Sequence, residues 1–170
     1  PALHAGGHRF ESCTAHHFYN WQDLQMKKYI PSPSIYVAEH VELYESSGGT
    51  KGTTRHGLAC IIVTSVGKRT GGLRKTPLMR VRDGNNYILV ASQGGAPHNP
   101  FWYYNLKSDP NVLIRDGIHV YTMKVRQVID PVEKYRLWKI AVKTFPPYQD
   151  YQIKTERLIP VFLAEHEHAS

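Results

Sequence analysis

The chain has 170 residues, 41% of them hydrophobic, enough for one domain to bury a core unaided. Its formal charge of +7 favours an anionic partner such as a phosphorylated cofactor or acidic lipid; nucleic acid is not expected, because no recognition-helix, zinc-finger or aromatic RNA-binding pattern accompanies the charge. Two cysteines without a Cys-x-x-Cys pair, 10 histidines without a completing carboxylate or thiolate pattern, and no apolar run near membrane-spanning length exclude a disulfide scaffold, a metal site and a membrane helix, and make a cytoplasmic, reducing location the expectation.

Residues 1–30 have mixed composition and are expected to form a mobile leader or short helix, with residues 31–170 as a single domain. Two short helices follow the leader. In the second, Ser32 can cap, Pro33 suits the first helical position, Ile35, Ala38 and Val41 share a face, and Gly48-Gly49 ends it. The stretch 48–57 reads as a polar loop. Leu58 to Val63 has the length and β-branched content of a buried strand, and Lys75 to Arg82 alternates like a half-exposed one. The turn between them carries the charge: residues 68–82 hold six cations and no acid. Gly67, Gly71 and Gly72 allow turn N–H groups to face an anion, with Lys68, Arg69, Arg74 and Lys75 around it. An arginine adds a planar fork suited to phosphate or carboxylate. Neither a Walker loop nor Gly-x-Gly-x-x-Gly is present.

Tyr87 to Ser92 follows the turn Asp83-Gly84-Asn85-Asn86 and predicts a hairpin with the preceding strand. Pro100 to Lys107 reads as an aromatic helix capped by Asn99 and stopped by Asp109-Pro110. Val112 to Arg115 and His119 to Val128 pair across Asp116-Gly117. Pro131 to Thr144 is an amphipathic helix with Val132, Tyr135, Leu137, Trp138, Ala141 and Val142 on its apolar side, and Ile159 to Leu163 is the last strand. Strands joined by tight turns, with helices placed between some of them, predict a mainly β fold: a closed antiparallel barrel with helical additions.

Three segments together resemble the deazaflavin (F420)-dependent nitroreductase family, whose members are reductases on a split β-barrel related to flavin-binding oxidases. The first is Thr64-x-x-Gly67-Lys68-Arg69-Thr70-Gly71-x-x-Arg74-x-x-Pro77-Leu78. The second runs from Ala91-Ser92-Gln93-Gly94-Gly95 through Asn99-Pro100-Phe101-Trp102 to Asn105-Leu106-Lys107. The third is Tyr148-Gln149-Asp150-Tyr151-Gln152 followed by Thr155-x-Arg157-x-Ile159-Pro160-Val161. The resemblance implies that Lys68, Arg69, Thr70 and Arg74 hold the phosphate and acidic tail of coenzyme F420. It also implies that Pro77, Met79, Ala91, Ser92, Gln93, Gly94, Asn99, Pro100, Trp102 and Asn105 border the cofactor, and that Tyr148, Tyr151 and Ser92 serve the reacting side. Phenols suit that side, since an apolar face meets flat substrates and a hydroxyl can orient or protonate. Relatives with nitroreductase activity can carry Lys where this chain has Gln93, and a further tyrosine where it has Phe145.

The implied activity is hydride transfer from reduced F420 to an electron-poor planar acceptor: a quinone, enone or nitroaromatic. The proton comes from Tyr148, Tyr151 or water. FMN use in the same fold and a non-catalytic deazaflavin carrier are the alternatives. The basic loop and the aromatic leader also fit peripheral contact with acidic lipid on the inner face of the membrane. Monomer and homodimer both remain open.

Overall fold

The computed structural model describes Leu24 and residues 26–166, so the leader expectation for residues 1–23 and 25 lies outside the described residues. The strands are β1 (Thr54–Arg55), β2 (Leu58–Val66), β3 (Leu73–Met79), β4 (Arg82–Asp83), β5 (Asn86–Val90), β6 (Asn111–Asp116), β7 (His119–Gln127) and β8 (Val161–His166). The helices are α1 (Ile35–Ser46), α2 (Phe101–Ser108), α3 (Pro131–Thr144) and α4 (Pro147–Ile153), with one 3-10 turn at Gln93–Gly95.

The sheet runs β1-β2-β6-β7-β8-β5-β4, and β3 lies along β2 opposite β6. Thus β3 and β4 stand at opposite ends of the sheet, yet only Arg80 and Val81 separate them in the chain. Arg80 N–H donates to Ala59 O, and Val81 O accepts from Ile88 N, both at 2.9 Å. The strand expected over 75–82 is therefore two strands bent at this dipeptide, and the bend curls the sheet round into a split barrel, mainly β with helices added.

Side-chain alternation explains the apolar runs. Ile61 and Val63 of β2, Tyr87 and Leu89 of β5, and Phe162 and Ala164 of β8 share one core with Val112, Ile114, Met123 and Val125. Their neighbours Cys60 and Ile62 pack outward on Val41 and Tyr44 of α1. Ile88, Val90, Val161 and Leu163 pack outward on Leu137 and Ala141 of α3 and on Phe145 and Tyr148. Both faces are covered, so polar residues drop out of these strands, and each large aliphatic contributes roughly 1.5–3 kcal/mol by burial.

Two helices present different faces from those expected. In α1 the N-cap position is Ser34, Ser32 Oγ instead accepts from Ser34 N at 3.2 Å, and Ile35 is 74% exposed. Tyr44 sets the rotation: its hydroxyl donates to Cys60 O (3.0 Å) and accepts from Gly117 N (2.9 Å), seating Val41 and Tyr44 inward. In α3, Val132 and Tyr135 are exposed, and the buried pair is Leu137 and Ala141, one turn apart.

The segment before α1 covers the outer edge of β3. Leu73 N donates to Lys28 O (2.8 Å), Ile30 N donates to Leu73 O (2.9 Å), and Arg74 Nη1 donates to Ile30 O (3.1 Å) and Pro31 O (3.2 Å). Gly72 permits this approach, because a Cβ there would lie 2.6 Å from Ile30 Cδ1 and 2.9 Å from Lys28 O.

Candidate active site

A cleft of about 380 Å³ gathers residues from all three resembling segments. β3 gives Pro77 and Met79; the β5–α2 connection and α2 give Ser92, Gln93, Gly94, Pro100 and Trp102; the end of α3 and α4 give Phe145, Tyr148 and Tyr151. Pro77 is tolerated because the free side of β3 asks for no ladder donor there. Arg55 and His56 of the β1–β2 turn and Val37 of α1 also line it.

The aromatic wall is continuous. Phe145 meets Tyr148 edge-on at 5.0 Å and lies 6.3 Å from Tyr151, Tyr148 and Tyr151 are 6.3 Å apart, and His56 stacks on Phe145 at 6.2 Å. Tyr148 and Tyr151 are three residues apart on α4 and so share a face. Burial, then the neighbouring Tyr151, pushes the Tyr148 hydroxyl well above its ordinary pKa, which leaves it a protonated donor and a poor acid.

Arg157 holds the opposite wall in shape. Its guanidinium donates from Nε to Ala96 O (2.9 Å), from Nη1 to Asn99 Oδ1 (2.6 Å), and from Nη2 to Ala91 O (3.1 Å) and Ser92 O (2.8 Å). Asn99 is thereby engaged as an acceptor; it does not cap α2, whose N-cap position is Pro100 with no side-chain cap. Within the pinned loop, Gln93 adopts φ 45°, a left-handed conformation that costs a non-glycine residue on the order of 1–3 kcal/mol. Gly95 (φ +80°) lies so close to α4 that a Cβ would come 2.7 Å from Tyr151 O. The loop and the tyrosine helix are therefore set relative to each other through backbone contact.

The basic turn between β2 and β3 is built differently from the sequence expectation. Its amides are largely occupied: Gly67 N donates to Gly72 O (2.7 Å), Gly71 N to Gly67 O (2.8 Å), Gly72 N to Thr70 Oγ1 (3.4 Å), and Lys68 N to Asn105 Oδ1 (2.9 Å). Anion contact thus falls to side chains. Lys75 pairs with Glu45 and Arg80 with Asp116, each at 2.7 Å, and Arg74 is spent on the backbone at residues 30 and 31. Lys68 and Arg69 are exposed and have no ion pair among the described residues. Asn105, one turn of α2 beyond Trp102, ties this turn to the helix that walls the cleft.

Of the residues singled out in the sequence, Pro77, Met79, Ser92, Gln93, Gly94, Pro100, Trp102, Tyr148 and Tyr151 line one cleft. Lys68, Arg69, Thr70, Arg74, Ala91, Asn99 and Asn105 do not line it: Asn105 holds the adjoining turn, which carries the first three and leads into Arg74, and Ala91 and Asn99 are bonded by Arg157 behind the cleft wall. Arg157 stood in a quoted motif without a role. His56 and Arg55 were hidden in a stretch read as a polar loop, although His56-Gly57 (φ 52° and 74°) is a two-residue turn of the type that joins hairpin strands.

The donor set suits a flat, anionic redox cofactor: an aromatic and small-residue slot for a ring, and two unpaired cations on a turn tethered to the slot's wall. The fold and site together define a cofactor-binding split barrel of the reductase type. The family model for F420H(2)-dependent quinone reductase matches residues 36–166, and the chain belongs to that family. It is 37% identical over 126 residues to an F420H(2)-dependent quinone reductase of Mycobacterium tuberculosis, covering 72% of this chain and 84% of that protein. A solved F420-H2-dependent reductase (FDR-A) is 43% identical with a TM-score of 0.59, over 62% of this chain and 93% of that one. A structure described as a domain-swapped dimer is 41% identical with a TM-score of 0.61, over 79% of this chain and all (100%) of that one. The chain is accordingly an F420H2-dependent reductase with coenzyme F420 as its cofactor, and the FMN and carrier alternatives are not favoured. No helix among the described residues is long and apolar enough to cross a membrane.

Proposed function

We propose that a quinone is the acceptor and that the 380 Å³ cleft is where it meets the ring of F420, with the coenzyme's acidic tail at Lys68 and Arg69. The observation that carries this reading is the convergence of the three separate segments on that single cleft. When bound, the reduced coenzyme supplies a hydride. Trp102, Pro100 and Gly94 form the flat slot for the ring, and the buried Ser92 offers a hydroxyl at its edge. Tyr148 and Tyr151 orient the acceptor and exclude water from one side. Gln93 and Phe145 stand where nitroreductase relatives can carry a cation and a phenol, so nitroaromatics rank below quinones as acceptors. Arg74 supports the turn from behind, through residues 30 and 31.

Replacing both Tyr148 and Tyr151 by Phe should lower turnover of a naphthoquinone by about tenfold or more while the F420 dissociation constant stays within about twofold. Trp102→Ala should weaken F420 binding about tenfold, some 1.4 kcal/mol. Fluorescence titration and steady-state kinetics read both; wild-type behaviour of all these variants would remove the cleft from the reaction. A cytoplasmic setting, contact of Lys68 and Arg69 with acidic lipid, and a dimer like the swapped relative belong to the same proposal, tested by salt-dependent vesicle binding and by solution mass.

A further inference from the structure

We propose that His56 is the proton donor to the reduced acceptor. The inference rests on the reading that the acceptor enters the cleft, and adds which group completes the reaction there.

Four titratable side chains line the cleft: Arg55, His56, Tyr148 and Tyr151. A guanidinium does not give up its proton in proteins, and a phenol does so reluctantly at neutral pH. Tyr148 is the poorer acid still for being buried. Imidazole is the side chain suited to giving and regaining a proton near neutrality.

The geometry places that imidazole at the mouth of the cleft. His56 sits at the first central position of the β1–β2 hairpin turn, where Arg55 pairs with Leu58 and the chain reverses through His56-Gly57. The left-handed backbone at His56 (φ 52°) is one that histidine adopts more readily than most non-glycine residues, and Gly57 (φ 74°) completes the turn. The ring lies over Phe145 at 28° between planes, joined through Phe145 to the tyrosine pair, and the residue is exposed enough to exchange protons with water. Arg55, whose guanidinium lies 5.6 Å from the Tyr36 ring centroid, stands beside it as a fixed positive charge where oxygen develops negative charge.

The step balances. A quinone takes up the hydride, and with it two electrons, from the reduced coenzyme that the family's activity supplies; one oxygen is left as a phenolate. The N–H bond of protonated His56 breaks, its electron pair stays on nitrogen, and an O–H bond forms to give the hydroquinone. Water then returns a proton to the exposed ring.

The test uses the full chain. In protein without coenzyme, 2-methyl-1,4-naphthoquinone should shift the His56 imidazole NMR resonances, assigned by their absence in His56→Gln, and shift them less in Phe145→Ala. With reduced F420, His56→Ala should lower kcat for that quinone by about 100-fold while F420 affinity stays within about twofold, and added imidazole should restore part of the loss. Resonances that ignore the quinone, or a His56→Ala kcat within about twofold of wild type, would overturn the assignment. Loss of rate that imidazole does not restore would do so too, by making His56 merely structural. Failure of the cleft reading itself is separate: it shows as unchanged F420 binding in Trp102→Ala, whatever His56 does.

Discussion

Arg157 makes four hydrogen bonds, to Ala96 from Nε, to Asn99 from Nη1 and to Ala91 and Ser92 from Nη2, so all three nitrogens of the guanidinium fork are used. Lysine has the charge but a single ammonium, so it cannot span four acceptors that lie in different directions. Arg157→Lys should therefore keep the fold and loosen the 91–99 loop. The expected outcome is F420 affinity lowered about tenfold, with a fall in melting temperature of only a few degrees, as suits the loss of one or two net bonds to a charged donor. Equal losses of stability and affinity in Arg157→Lys and Arg157→Ala would count against this division. Why this residue was not legible as a support is physical: an Arg four residues before a strand carries no local signature of its partners, which lie 58 to 66 positions away. The tyrosines were marked by the family resemblance, and the folded chain adds that their i, i+3 spacing on α4 puts them on one face. The glycines of the basic turn were legible as a turn but not as to purpose, since Gly72 answers to a neighbouring segment that only the folded chain brings near.

At the scale of elements, the N-terminus of α3 is a self-contained device. Asp130 Oδ1 accepts from Glu133 N at 2.7 Å, Pro131 occupies the first helical position, and Glu133 in turn receives Arg126 through two bonds of 3.0 and 2.7 Å. Asp130→Ala should cost about 1 kcal/mol of stability, read by denaturant unfolding, and leave F420 binding unchanged because Asp130 does not line the cleft. The Arg126 guanidinium holds the Glu133 carboxyl below its ordinary pKa, and Arg136 does the same for Asp83. A depressed folded-state pKa gives stability that is present above the ordinary carboxylate pKa and lost as pH falls through the folded one, so these pairs weaken only in acid. The hairpins were legible from Asp83-Gly84-Asn85-Asn86 and Asp116-Gly117, whose residues accept the turn conformation locally. The facing of α1 and α3 was not. Apolar residues occur around much of each helix, and the buried side is chosen by what the sheet offers: Cys60 O and Gly117 N for Tyr44, the β5 and β8 faces for Leu137 and Ala141.

On the whole-molecule scale, a chain of net charge +7 keeps few of its clustered cations available. Of the six in 68–82, Lys75 and Arg80 are neutralised by Glu45 and Asp116, Arg74 is turned to the backbone behind the turn, and Arg82 lies over the Tyr87 ring at 5.5 Å. Lys68 and Arg69 remain on a turn that Asn105 fixes to α2, the helix that walls the cleft. A coenzyme with an acidic tail should therefore feel a small, local positive field, and exposed charges are screened beyond about 10 Å at 0.1 M salt. Raising salt from about 0.05 to 0.5 M should weaken F420 binding about tenfold, and Lys68→Ala with Arg69→Ala should abolish most of that salt dependence along with the affinity. Arg74→Ala should act otherwise, lowering stability by freeing residues 30 and 31 while the salt slope persists. The field would not depend on Lys68 and Arg69 if the double variant kept the wild-type slope. Arg74 would itself belong to the tail site if its loss, and not theirs, flattened the slope.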